Sequence, residues 1–293
     1  MEHRPLGASG LRVSLLGLGA GAIGSADLAE EAVSRLLHGA LDLGISLIDT
    51  APSYGASEER IGRHLAGRRE QVVLSTKVGY GVPGVPDWTR DAIVGGVDLA
   101  LRRLRTDRLD VVHLHSCPLD VLRRDDVLEG VRRMRASGKV GVAAYSGEGD
   151  AFDFAIGSGL FGAVQVSVNV CDQRAMRRAL PTAAERGIGV IAKRGLANAP
   201  WLERPPPGDQ AAAVYVERFR QMALAPGPMP WDELFLRFAT FSPGVCACLV
   251  GTRRLENLAR LIAAAAKGPL PEPERELILH AWDRADRGWT GQV

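Results

Sequence analysis

An aspartate, a tyrosine, a lysine and a histidine stand at or just beyond the ends of short apolar runs. Asp49 closes Leu47-Ile48-Asp49, and Tyr54 lies in the Pro- and Gly-broken loop behind it. Lys77 closes the run 72–77, and His115 closes 111–115. Together these types suit the reduction of a carbonyl group. When a hydride reaches the carbon, negative charge grows on the oxygen, and a proton donor must meet it. A free tyrosine, with a pKa of about 10, is a weak acid for that task at neutral pH. An ammonium beside the phenol favours the phenolate and so strengthens the acid. Asp49 would keep Lys77 charged and aimed. His115 would orient the carbonyl oxygen or share in the proton transfer.

Those groups converge only if the runs are neighbouring strands. Apolar runs at 15–19, 47–49, 72–77, 111–115, 140–145, 163–168, 189–192 and 247–250 alternate with helical patterns at 27–43, 57–66, 89–105, 125–137, 150–158, 174–186, 231–240 and 255–266. The runs are continuously apolar, as in a parallel sheet covered on both faces. Eight β-α repeats predict a closed (β/α)8 TIM barrel over an open doubly wound sheet, with the site at the C-terminal strand ends. Residues 4–18, with Gly7 and Ser9-Gly10, read as an N-terminal β-hairpin, and 273–287 as an extra C-terminal helix. Gly19, Gly21 and Gly24 read as a flexible loop. Ser57 looks like a helix N-cap with acids behind it. A Pro- and Gly-rich insertion, 194–230, holds one helix near 210–222, and 203–208 is its Pro-rich part. The whole of 1–293 reads as a single domain.

Composition narrows the function classes. The 293 residues are 46% hydrophobic, enough for one large core, and 36 basic against 34 acidic residues give a net charge of +2. Such a balance leaves no nucleic-acid or membrane-surface footprint. No apolar run approaches the roughly 20 residues of a membrane helix. No signal peptide is visible behind Met1, and the 4 cysteines show no pairing pattern. The expected compartment is therefore the cytoplasm.

Two competing readings stay open. His113, His115 and Cys117 alternate onto one face of a strand, so a metal-dependent barrel hydrolase is one. In the reductase reading no metal is needed, and His113 is a hydrogen-bonded interior residue and Cys117 a packed thiol. The other competitor is a non-catalytic subunit that binds a nicotinamide cofactor on the same fold.

The stretches 49–58 (Asp-Thr-Ala-Pro-Ser-Tyr-Gly-Ala-Ser-Glu), 75–78 (Ser-Thr-Lys-Val) and 109–115 (Leu-Asp-Val-Val-His-Leu-His) resemble the aldo-keto reductase family. The opening Leu6–Ser14, the run Leu16–Gly19 and the closing Leu249–Thr252 are similar too, so the resemblance covers nearly the whole chain. It implies an NADP(H)-dependent reductase of aldehydes or ketones, NAD(H) remaining open. Tyr54 would be the general acid, Lys77 and Asp49 its tuning pair, and His115 the substrate-orienting residue. Ser146 and Gln165 would hold the nicotinamide carboxamide, although Gly147 replaces the asparagine that usually follows the serine. Lys193 stands where an aromatic usually stacks on the nicotinamide. Either Arg194 lays its guanidinium on that ring or Lys193 faces the pyrophosphate. Arg194, Leu196 and Asn198 match the loop that folds over the pyrophosphate. Gly251, Thr252, Arg253 and Arg254 precede a helix, a setting that suits a 2′-phosphate. Asn257 would help at the adenine, since Arg260-Leu261 replaces the usual Glu-Asn pair. Trp88 and Trp201 could wall the substrate pocket or simply pack, and the tail with Trp289 could reach the mouth. The partner is a small-molecule carbonyl.

Overall fold

The computed structural model describes residues 1–203 and 208–292, so residues 204–207 of the Pro-rich stretch lie outside the described residues. An antiparallel hairpin comes first, β1 (His3–Pro5) with β2 (Arg12–Ser14), Arg4 opposite Val13. Its turn needs Gly7 and Gly10 at φ +55° and +81°, where a Cβ is disfavoured. The parallel strands follow: β3 (Leu16–Gly19), β4 (Leu47–Asp49), β5 (Val73–Val78), β6 (Leu109–His115), β7 (Val140–Ser146), β8 (Ala163–Ser167), β9 (Gly189–Lys193) and β10 (Ala247–Gly251). Each pairs with the next, and β10 pairs with β3 (Val250 opposite Leu18), so the sheet closes into a barrel.

Val, Ile and Leu fill these strands because both faces are covered: Val111, Val112 and Leu114 of β6 are all fully buried. The surrounding helices are α1 (Glu30–Asp42), α2 (Ser57–Leu65), α3 (Arg90–Leu104), α4 (Leu119–Leu122), α5 (Asp125–Ala136), α6 (Gly149–Gly157), α7 (Arg174–Arg178), α8 (Leu180–Glu185), α9 (Gln210–Met222), α10 (Trp231–Thr240), α11 (Leu255–Ala265) and α12 (Glu272–Ala285). Their apolar residues recur at helical spacing. In α1, Val33, Leu36, Leu37, Ala40 and Leu41 form the stripe that faces the strands. Each fully buried Leu or Val contributes roughly 1.5–3 kcal/mol. Thr89 caps α3 by accepting from the Ala92 N–H (3.2 Å), and Asp209 caps α9 by accepting from Ala212 (2.9 Å).

Three features depart from the sequence reading. The single helix expected at 174–186 is two, broken at Ala179. Pro181 lacks the N–H that would bond the Arg177 carbonyl, so the first helix stops short. The short helix α4 carries too few apolar positions to show a period. Residues Ala20–Gly24 form a turn of 3-10 helix where a flexible loop was expected.

Leu6 and Val13 of the hairpin share one buried cluster with Leu47, Val111, Ala163 and Ala247 from the lower parts of the strands. The hairpin thus closes the N-terminal end of the barrel. A separate cluster joins α9, α10 and α12 through Tyr215, Phe235 and Trp282. Among the described residues no helix is long and apolar enough to cross a membrane.

Candidate functional site

Strand register puts the polar residues together at the C-terminal ends. Asp49 lies opposite Ser75, Lys77 opposite His113, His115 opposite Ser146, and Ser146 opposite Gln165. Asp49 and Lys77 are almost fully buried, at 3% and 1% exposure. Lys77 Nζ donates to Asp49 Oδ2 (2.6 Å) and to the Thr50 carbonyl (2.8 Å). Ser75 Oγ (2.7 Å) and Gln165 Nε2 (3.0 Å) both donate to Asp49 Oδ1. Burial alone would depress the lysine, but the Asp49 charge and then Tyr54 outweigh it and hold the ammonium above its ordinary range. Burial would likewise raise Asp49, and the Lys77 charge overcomes it and holds the carboxylate low. The pair is charged, and both partners are hydrogen-bonded, as a buried pair must be.

Lys77 Nζ sits 5.0 Å from the centroid of the Tyr54 ring. The ring is placed by its loop. The Ala56 N–H bonds the Gly24 carbonyl (3.1 Å), and a Cβ on Gly24 would lie 1.6 Å from the Tyr54 carbonyl oxygen. Only glycine allows that contact. Gly55, at φ +53°, turns the chain back against the same point. Ser57 is not the N-cap of α2; Ala56 is, with no side-chain bond. The Ser57 hydroxyl is buried instead, donating to the Ala20 carbonyl (2.8 Å) and accepting from Thr50 (2.8 Å). Glu58 ties α2 to β5, accepting from Thr76 (2.7 Å) and Arg103 (3.1 Å). The glycine run after β3 therefore serves as the seat of the tyrosine loop.

His115 faces the Tyr54 ring edge-on, centroids 6.2 Å apart. Burial, then the nearby Lys77 charge, pushes its pKa down to about 3, so it is neutral at physiological pH. Its Nδ1 is hydrogen-bonded to the Tyr80 hydroxyl, which also bonds Ser53 Oγ (2.9 Å). Sequence reading missed Tyr80, because nothing local shows that a loop residue just past β5 folds back over β6. His113 is fully buried. Ser75 gives its proton to Asp49, so His113 Nε2–H donates to Ser75 Oγ (3.0 Å), and Nδ1 has no partner among the described residues. Burial pushes His113 down to about 4 and Cys117 up to about 12. Cys117 is a packed thiol, 0% exposed, with Sγ 3.8 Å from the Pro118 carbonyl. Among the described residues no group of three or more His, Cys, Asp and Glu could hold a metal ion.

Asp49, Tyr54, His115, Ser146, Gln165 and Lys193 line one cavity of about 470 Å³, which runs on past Arg194, Leu196 and Asn198 to Gly19, Gly21 and Gly251. A sequence model of the Aldo/keto reductase family matches residues 15–283. The chain belongs to the aldo/keto reductase family. It is 26% identical over 284 residues to L-galactose dehydrogenase of Arabidopsis thaliana, covering 91% of this chain and 89% of that protein. Over 165 residues it is 33% identical to aldo-keto reductase YhdN of Bacillus subtilis, half of this chain and 48% of that one. The holo structure of aldo-keto reductase AKR11C1 from Bacillus halodurans superimposes with a TM-score of 0.84 at 25% identity, covering 98% of both chains.

Aldo/keto reductases typically use NAD(P)H, and this cavity has donors and acceptors that suit such a group. Ser146 Oγ donates to Gln165 Oε1 (3.0 Å), an amide and a hydroxyl side by side as a carboxamide needs. Among the described residues Arg194 Nη1 is buried without a hydrogen-bond partner, a donor that a phosphate oxygen would satisfy. Arg194, Ala197, Asn198 and Ala199 all have φ between +46° and +58°, a strained run for non-glycine residues. Asn198 is held by Asp209 (3.1 Å). Lys193 is turned to Glu148 Oε1 (3.2 Å), which also accepts the Ser167 N–H (2.9 Å). Burial lowers the Lys193 pKa, with Glu148 opposing. Glu148 is a second residue that sequence reading missed. A Cβ at Gly147 would lie 2.4 Å from the Tyr145 hydroxyl, which is bonded to the Cys117 carbonyl (2.9 Å). The bulky Tyr145 thus explains why no asparagine occupies position 147.

The outer residues are less enclosed. Arg253 pairs with Asp27 (2.8 Å), Thr252 Oγ1 accepts the Arg254 N–H (3.1 Å), and Arg254 reaches Asn257 Oδ1 (3.5 Å). Of this group only Gly251 lines the cavity. Trp88 does not line it either; the ring packs edge-on to Tyr80, centroids 5.8 Å apart. Trp201 packs on Phe235 (5.0 Å) and Trp289 on Trp282 (4.9 Å). The tail behind Trp289 passes close to Glu148 at Gly291, and the Gln292 carbonyl accepts from Ser167 (3.5 Å).

Proposed function

We propose that this aldo/keto reductase interconverts an aldehyde or ketone and its alcohol with NADP(H), Tyr54 supplying the proton. The observation that carries this reading is the buried Asp49–Lys77 pair set against the Tyr54 ring, with neutral His115 on the same cavity. When bound, the cofactor would supply the hydride. Tyr54 gives its phenol proton to the carbonyl oxygen, and the Lys77 ammonium stabilises the charge left on the phenol. Asp49 keeps that ammonium charged and fixed between itself and the Thr50 carbonyl. His115, being neutral, donates a hydrogen bond to the same oxygen without repelling the ammonium. Ser146 and Gln165 would hold the carboxamide, and Arg194, Leu196 and Asn198 would cover the pyrophosphate. Lys193, paired with Glu148, would offer the nicotinamide a compensated ion pair rather than an aromatic stacking plane. Gly251, Thr252, Arg253 and Asn257 would receive the adenosine end once Arg253 exchanges Asp27 for a 2′-phosphate.

The test is Tyr54→Phe assayed with a reactive aromatic aldehyde and either NADPH or NADH. A general acid contributes about 10²–10⁴-fold, so turnover should fall by that order while nucleotide binding, followed by fluorescence, persists. Undiminished turnover removes Tyr54 from the mechanism. Tight NADPH binding by the wild type with no turnover across a broad carbonyl panel would support the binding-subunit reading instead.

A further inference from the structure

His115 can serve its oxygen only through a nitrogen that carries hydrogen. A neutral imidazole has one such nitrogen, and the partner of the other decides which it is. Nδ1 is occupied by the Tyr80 hydroxyl, while Nε2 has no hydrogen-bond partner among the described residues and the ring lines the cavity. Tyr80 is held tightly enough to make that decision. Its ring stacks on His115, centroids 5.5 Å apart at 30°, and Trp88 braces it from behind. Trp88 can sit there because Gly79, at φ +121°, has no Cβ; one would lie 2.3 Å from the indole. The Tyr80 hydroxyl lies between Nδ1 and Ser53 Oγ, so its single proton goes to one of them. A phenol is a far stronger donor than a serine hydroxyl, and an imidazole lone pair is a better acceptor than a hydroxyl oxygen. The 2.9 Å contact fits a phenol donating to Ser53 Oγ, but either hydroxyl can carry the proton of that bond. With Nδ1 the better acceptor, the phenol proton goes to Nδ1 and Ser53 donates to Tyr80.

We infer that Tyr80 is a positioning residue, which fixes His115 as the Nε2–H tautomer by donating its phenol proton to Nδ1 and so aims an N–H into the cavity. This rests on the reductase reading for its consequence, not for its geometry. Burial holds the Tyr80 phenol above its ordinary pKa, so it stays a protonated donor.

The experiment is a two-bond nitrogen–proton correlation spectrum of protein with isotope-labelled histidine at neutral pH, His115 being assigned by its loss in His115→Gln. The wild type should show Nδ1 bare and Nε2 protonated. Tyr80→Phe should populate the other tautomer and lower kcat about tenfold, a loss of orientation more than of binding, with the KM for NADPH unchanged. A wild-type spectrum with the proton on Nδ1, or a Tyr80→Phe spectrum like that of the wild type, overturns the inference. If Tyr80→Phe does not fold, the wild-type spectrum alone decides. A Tyr80-dependent tautomer in a protein without carbonyl turnover would remove the proposed reaction and leave the inference about the tautomer standing.

Discussion

His113 never meets the cavity, yet it sets a price on acid. Its imidazole takes up a proton near 6.5 when unfolded and near 4 when folded, because burial disfavours the charge. Between those values the unfolded chain binds more protons, so the contribution of His113 to stability is lost as pH falls through that window. Asp172 works the other way there: burial, then the Glu148 charge, lifts its pKa to about 7. That opposing share is common to wild type and variant. In His113→Gln, the urea midpoint relative to wild type should rise as pH drops from 6.5 towards 4. A constant difference across the window would show that His113 is not buried neutral. At this scale the sequence was legible where a residue ends a strand, since Asp49, Lys77 and His115 are located by the strands themselves. It was not legible at Tyr80 and Glu148, whose partners are far along the chain and whose loops turn at Gly79 and Gly149, both with positive φ. Nor could it show that Tyr145 forbids a side chain at 147.

At the scale of elements, the tyrosine loop and the 3-10 turn before α1 act as one piece. Gly24→Ala puts a methyl into the Tyr54 carbonyl, so the loop must move off the turn. Overpacking of this kind costs about 1–3 kcal/mol. The expected variant folds, melts at a lower temperature, and loses turnover through displacement of Tyr54 from Lys77. Thermal melts by circular dichroism and single-turnover rates check both halves; full activity would mean the loop tolerates the shift. The 3.6-residue and continuous apolar patterns located the barrel strands and most of the helices, including 210–222 and 231–240 without error. They overran at Pro181, a local break inside a good apolar pattern.

For the whole molecule, the hairpin is the floor of the barrel. Leu6 is fully buried against interior residues of several strands, so Leu6→Ala should cost about 2–5 kcal/mol in denaturant. KM and kcat below the melting range should be unchanged, because Leu6 stands at the pole opposite Tyr54. A loss of turnover without a loss of stability would contradict that division. Fold class was readable from eight repeats because closure follows from their number; that the hairpin plugs the bottom needed coordinates, since its apolar residues alternate like those of any edge ribbon.

Above that plug the barrel interior is packed solid with side chains, so it offers no channel from the far end. Whatever enters to meet Tyr54 must come in by the mouth and go out the same way.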